Sequence, residues 1–211
     1  MNAPSRVLVI GAGGRTGRLV CERAARDGQV VTTLSRSPIP AVLASQVHRQ
    51  VIGDARDAEH VREALRDQDA VITTVAAPGR APSTVVSDVT RTVLAEMSRA
   101  DVNRIVITSS RNLTATKPWV AVAPTKWYFR HIYADLARAE ELIRASNMAW
   151  TIVRAVMLTD TPPSGRTHID EAQNSTGGDW KLPRGDYAQV LLEAAMDPET
   201  IGKALGVNGL S

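Results

Sequence analysis

The chain has 211 residues, 44% hydrophobic and 22% charged, and its 25 basic and 22 acidic side chains leave a formal net charge of +3. That length suits one domain with a sizeable core, so residues 1–211 are expected to form a single unit. Basic residues interspersed with acidic ones argue against a nucleic-acid partner, no apolar run approaches the ~20 residues of a membrane span, and the lone Cys21 excludes an intrachain disulfide or a cysteine-rich metal site.

The N-terminal stretch Met1 to Arg6 runs straight into a strand-like segment, so no signal peptide and a cytoplasmic location are expected. Residues 7–10, Val-Leu-Val-Ile, break into glycines at Gly11, Gly14 and Gly17, and helical spacing follows over 16–26. This is a strand, a tight turn and a helix N-terminus. Glycine there permits the turn and lets backbone N–H groups approach a diphosphate, which the helix dipole favours. The spacing is G-x-x-G-x-x-G, with Thr16 where the usual dinucleotide fingerprint has glycine, and a tight βα turn that binds nothing is the alternative.

Strand-like runs recur at 30–34, 47–52, 70–75, 104–108 and 150–156, separated by helical spacing at 58–66, 84–99 and 132–145. Asp57 is placed to cap the helix at 58–66. Regular βαβ alternation predicts an α/β fold: a Rossmann-type doubly wound parallel sheet, helices on both faces, strand order 3-2-1-4-5-6.

The second strand ends in Leu34-Ser35-Arg36-Ser37. A carboxylate near this place would accept from a ribose 2′-OH and repel a 2′-phosphate; Arg36 instead suits the phosphate, with Ser35 and Ser37 as further donors and Arg15 within reach. NADP(H) is therefore the expected cofactor, although Arg36 also fits a solvated loop. Asp54, after the third strand, is placed either to accept from the adenine amine or simply to form a turn.

Five of the eight aromatic residues, Trp119, Trp127, Tyr128, Phe129 and Tyr133, follow the fifth strand. They are read as a long loop overhanging the cleft: a stacking wall for a flat substrate, or a hydrophobic cluster pinning that loop. Ser109 and Ser110 end the fifth strand, with Arg111 and Lys126 in the same region to stabilise negative charge. Residues 159–185, rich in proline and glycine, read as a loop-rich C-terminal cap beside the cleft, with short strands at 167–169 and 180–182. A helix at 186–196 and an edge strand at 203–207 close the chain. Four scattered histidines predict no metal site.

These segments together resemble the atypical short-chain dehydrogenase/reductase superfamily. Trp150-Thr151-Ile152-Val153-Arg154, Leu158-Thr159-Asp160 and Leu182-Pro183-Arg184-Gly185-Asp186 fit its NAD(P)H-binding branch, which includes flavin reductase/biliverdin reductase B and NmrA-like proteins. The resemblance implies that Gly11, Gly14, Arg15, Thr16 and Gly17 hold the diphosphate, Arg36 the 2′-phosphate, and Asp54 with Ala55 the adenine. Val75 and Ala76 would lie under the nicotinamide ribose, with Thr108 and Ser109 beside the nicotinamide. Two departures stand out. Tyr128, Tyr133 and Tyr187 are followed four residues later by Ile132, Ala137 and Leu191, so the Tyr-x-x-x-Lys acid is missing. Asp135-Leu136 stands where that branch often has Asp-His.

Hydride delivered to an isolated ketone creates an alkoxide that needs a strong donor, whereas a flavin or quinone delocalises the charge. The expected activity is thus NADPH-dependent reduction of a planar conjugated acceptor, with Ser109 polarising it and Ser110, Arg111, Lys126, Trp127 and Tyr128 on the substrate side. The alternatives are an NmrA-like NADP(H) sensor without turnover and an isomerase or tailoring enzyme of secondary metabolism. A small-molecule acceptor is the expected partner, for a monomer or a homodimer.

Overall fold

The computed structural model describes residues 5–210. Strands β1 (Arg6–Ile10), β2 (Val30–Ser35), β3 (Arg49–Ile52), β4 (Ala70–Thr73), β5 (Arg104–Ser110) and β6 (Ala149–Ala155) lie parallel in the order β3-β2-β1-β4-β5-β6. This is the doubly wound arrangement that the alternation predicts. Period-two alternation explains how each strand serves two cores. Val7 and Val9 of β1 join one cluster, with α1 (Arg15–Arg26) and α7 (Arg184–Met196) packed over it. Leu8 and Ile10 join the other, under α3 (Ala58–Leu65), α4 (Val85–Ala100) and α6 (Arg130–Arg144). All four side chains are 0% exposed, and burying each contributes about 1.5–3 kcal/mol. The turn that follows β1 is therefore mounted on one of the firmest segments of the molecule.

Helix starts follow local chemistry. The Asp57 carboxylate accepts from the Glu59 N–H at 2.8 Å and caps α3 as expected. The α4 N-terminus is capped from a distance: Asp135 of α6, fully buried, accepts from the Val86 and Ser87 N–H groups and the Ser87 hydroxyl. Cys21 packs inside α1, and burial pushes its thiol up to about 12, which keeps it unreactive.

The C-terminal third departs from expectation. Besides β7 (Met157–Thr159), it contributes β8 (Thr167–Asp170), β9 (Lys181–Pro183) and β10 (Lys203–Gly209). β10 is an inner strand, parallel to β6 on one side and antiparallel to β8 on the other. β7 and β9 form a separate two-stranded parallel ribbon. The stretch expected to be a cap is thus divided, one part extending the main sheet. Residues 119–128, read as loop, form helix α5 (Trp119–Tyr128); Pro124 inside it and the run of bulky residues disguise the helical pattern. A short helix α2 (Ala41–Ala44) was also not anticipated. Among the described residues no helix is long and apolar enough to cross a membrane.

Candidate functional site

The glycine turn is built by backbone constraint. Gly11 has φ +86, a conformation L side chains rarely adopt, and its N–H donates to the Leu34 carbonyl at 2.9 Å. The Thr74 hydroxyl, at the tip of β4, donates to the Ile10 carbonyl and so ties β4 to the turn. Gly17 has a different role: a Cβ there would lie 2.4 Å from the Gly11 carbonyl oxygen, so only glycine lets α1 sit this close beneath the turn. α1 begins after Gly14 with no side-chain cap and no acidic residue in its first turn. Its leading N–H groups remain available to an anion.

A cavity of about 520 Å³ opens over the tips of β1, β2, β3 and β4. Of the sequence-predicted residues it brings together Gly11, Gly14, Arg36, Asp54, Ala55, Val75 and Ala76. It also uses residues the sequence reading missed, notably Gly13, Arg18, Arg56 and Thr74. Arg18 follows Gly14 by one helical turn and Arg56 follows Asp54 by two residues, spacings that could have flagged both. The Arg56 guanidinium grips the Asp54 carboxylate at 2.6 and 3.1 Å, and these hydrogen bonds hold its carboxyl down to about 2. The wall therefore carries three guanidiniums against one carboxylate that already has a cation. Ser35 does not join them as a donor, because its hydroxyl donates to the Ser37 carbonyl at 2.7 Å.

Arg15, Thr16, Gly17 and Thr108 do not line this cavity. Arg15 pairs with Asp160 just beyond β7, at 2.6 Å. Asp160 also accepts from Arg184 at 2.8 Å, and Arg184 donates to the Thr16 hydroxyl at 3.2 Å. Hydrogen bonding from Arg184 is the main reason the Asp160 carboxyl lies below its ordinary range. Asp186, in the first turn of α7, accepts from the Ser164 and Gly165 N–H groups and the Ser164 hydroxyl. The two late motifs therefore brace the glycine turn against α7 and close the loop after β7.

Ser109 does not line this cavity either; it is half-buried at the tip of β5, the strand next to β4. Its hydroxyl donates to Glu140 at 2.7 Å, and Glu140 is gripped by Arg154 through two bonds, one of 2.9 Å. This corrects the expectation that Ser109 polarises a carbonyl, since its one proton is already committed. Ser110 ends the same strand. Arg111 is a second correction: it is 1% exposed, ion-paired to Asp170 at 2.6 Å and packed against Gly206, so it cannot face a substrate. Tyr187 is buried with its hydroxyl on the Val153 carbonyl at 2.7 Å, and burial pushes the phenol strongly upward.

The aromatic residues are not one continuous wall. Trp119 and Trp127 are 73% and 70% exposed on α5, where Lys126 lies in the last turn. Tyr128, Phe129 and Tyr133 pack on one another, and Arg80, from the loop after β4, stacks 4.5 Å from the Tyr128 ring centre. That contact links α5 to the loop that continues from the cavity wall at Ala77 and Pro78.

Comparison with known proteins agrees with this geometry. A family model described as NAD(P)H-binding matches residues 11–198. The Saccharomyces cerevisiae UPF0659 protein YMR090W is 24% identical over 225 residues, covering 98% of this chain and 95% of that protein. A Veillonella parvula short-chain dehydrogenase/reductase, solved in complex with NADP, superposes with a TM-score of 0.81 at 16% identity, covering 98% of this chain and 95% of the other. ChuY from Escherichia coli O157:H7, described as an anaerobillin reductase, gives a TM-score of 0.79 at 22% identity, with 97% of each chain covered. At these identities the structural likenesses establish the shared fold.

Proposed function

This chain belongs to the NAD(P)H-binding family, and from that premise we propose that it is an NADPH-dependent reductase of a flat conjugated acceptor such as a flavin or quinone. The observation that carries the cofactor preference is the charge of the cavity wall. Arg18, Arg36 and Arg56 face it with a single carboxylate, Asp54, which Arg56 already neutralises. A diphosphate alone would be served by the uncapped α1 N-terminus and one arginine. The surplus positive charge at the end of β2 suits a 2′-phosphate, which a guanidinium binds with two parallel hydrogen bonds.

When bound, the reduced dinucleotide would supply a hydride, one proton with two electrons, to an electron-poor atom of the acceptor (the N5 nitrogen of a flavin), and water would supply the second proton. The protein's own part is positioning. Gly11, Gly13 and Gly14 admit the diphosphate without a Cβ in the way, and Val75 and Ala76 support the ribose at the β4 tip. Reacting atoms of donor and acceptor held about 3–3.5 Å apart gain much of the available rate enhancement from proximity. No tyrosine acid serves this site: Tyr187 is buried and bonded to Val153, and neither Tyr128 nor Tyr133 is followed by the lysine that would lower its pKa. That limits the acceptor to molecules that spread the incoming charge themselves. The description of ChuY as a reductase supports the same class of reaction.

A second reading, an NADP(H) sensor without turnover, is favoured by the committed proton of Ser109, which leaves that serine unable to donate to a substrate. Titration with NADPH and NADH, followed by NADPH oxidation with a panel of flavins and quinones, separates the two. Arg36→Asp is expected to weaken NADPH roughly 30-fold or more, about 2 kcal/mol, and NADH less than about threefold. Equal losses for the two cofactors would remove the 2′-phosphate assignment. Binding without oxidation across the panel would favour the sensor.

A further inference from the structure

Taking the reductase reading as its basis, we propose that Glu140 makes Ser109 a hydrogen-bond acceptor, so that the cleft selects an amide-type N–H beside the reacting ring. A serine hydroxyl has one proton and two lone pairs. Here the proton is directed to Glu140 Oε1 at 2.7 Å. Glu140 is only 5% exposed and faces two guanidiniums: Arg154, which donates from both Nε and Nη2, and Arg144, whose Nη2 lies 3.7 Å from Oε2. A carboxylate so placed offers lone pairs alone. Ser109 must be the donor in that bond, and it can present only lone pairs to a ligand.

The arrangement is fixed by the fold. Ser109 on β5 and Arg154 on β6 are register partners, so their side chains project to the same face of the sheet. α6 covers that face and brings Glu140 down onto both. Ser109, half-buried at the strand tip, is the most exposed of the three. A group that pairs well with it carries an N–H: the carboxamide of the nicotinamide, or the imide of an acceptor such as an isoalloxazine. A carbonyl in that place sets lone pair against lone pair. The pairing would orient whichever ring carries the N–H, and Glu140 acts as a positioning residue without touching it.

The test measures dissociation constants for two matched pairs on the full chain. One pair is NADPH and its reduced 3-acetylpyridine analogue, which keeps the carbonyl and loses the NH₂. The other is riboflavin and N3-methylriboflavin, titrated with NADP⁺ present. One pair is expected to show a loss of about tenfold, equivalent to about 1.4 kcal/mol, for the member without the N–H. That pair identifies the source of the N–H. In Ser109→Ala the ratio is expected to fall towards one, and Ser109→Thr should retain it. Glu140→Gln, whose amide can donate to Ser109 and turn its proton outward, should invert the preference, an outcome a merely structural role would not produce. Equal affinity within both pairs, or discrimination that survives Ser109→Ala, overturns the proposal even if Glu140→Gln does not fold. Absence of any NADPH binding overturns both this and the reductase reading. Binding without oxidation sinks the reductase reading alone, because the affinity ratios still decide the role of Ser109.

Discussion

At the β1–β3 end of the sheet, Arg18 and Arg36 stand over an open cavity, and among the described residues neither has an ion-pair partner. At the β5–β10 end, Arg111 and Arg154 are buried, each held by a carboxylate from another element, Asp170 and Glu140. The residue type is the same and the physics opposite. An exposed guanidinium keeps its hydration and waits for an anion at little cost. A buried one loses its water, and without a partner it would destabilise the fold by several kcal/mol. Arginines near a Rossmann cleft therefore divide by burial into those that can recognise a ligand and those that hold the architecture, and adjacency in sequence does not separate them.

Breaking the buried side should produce the largest effect. Asp170→Asn leaves the Arg111 charge uncompensated and is expected to cost about 3 kcal/mol in urea unfolding, with NADPH affinity of the folded protein unchanged. An unaltered unfolding midpoint would mean that Arg111 finds another partner. The same pair sets an acid limit. Burial raises the Asp170 carboxyl, but hydrogen bonds from Arg111 and Thr176 outweigh it and bring it from 3.8 to about 2. The carboxylate's contribution is then complete above the unfolded value of 3.8 and disappears as pH falls towards 2. Thermal unfolding between pH 5 and 2, both taken as round experimental limits at about the ends of that window, should lose a step in Asp170→Asn that the parent shows.

A mid-sized effect tests the contact between the turn and its helix. Gly17→Ala places a methyl 2.4 Å from the Gly11 carbonyl oxygen. Overpacking of this kind costs about 1–3 kcal/mol, and the displaced turn should bind NADPH roughly tenfold more weakly. Calorimetry with an unchanged affinity would show that the turn does not hold the cofactor. The smallest effect concerns Asp160, which lies between Arg15 and Arg184 beside the turn. Asp160→Asn frees the exposed Arg15 guanidinium, so NADPH binding by the folded protein should tighten less than about threefold at low ionic strength, with the gain screened away in ~0.5 M salt. The buried Arg184 meanwhile loses a partner, and stability falls. A weaker complex instead would make Asp160 a brace that the site requires.

Much of the cavity wall was legible because its determinants are local. The run Val7 to Ile10, the glycines after it, Arg36 and the Asp57 cap each act within a few residues along the chain, and Ile10, Gly11, Gly14 and Arg36 meet at one cavity. Arg56, two residues after Asp54, carried a spacing signal, but its grip on that carboxylate is seen only in the folded chain. The β5 side was less legible. Arg111 sits next to Ser110 in sequence, yet the chain turns into a short 3-10 helix there and buries the guanidinium beneath β10. The Ser109 hydroxyl is held by Glu140, 31 residues away along the chain, a partner no local pattern announces.

Periodicity and turn chemistry, read along the chain, were enough to dictate the α/β alternation, the strand order through β6 and the glycine bend, since hydrophobic burial and backbone sterics impose those patterns within short windows. Tertiary packing alone decided that β10 lies inside the sheet, that residues 167–170 form its edge, and which charged side chains face solvent. Those outcomes depend on partners brought together across tens or more than a hundred residues, such as Arg15 with Asp160, and the energy of a charge is set by its surroundings in space.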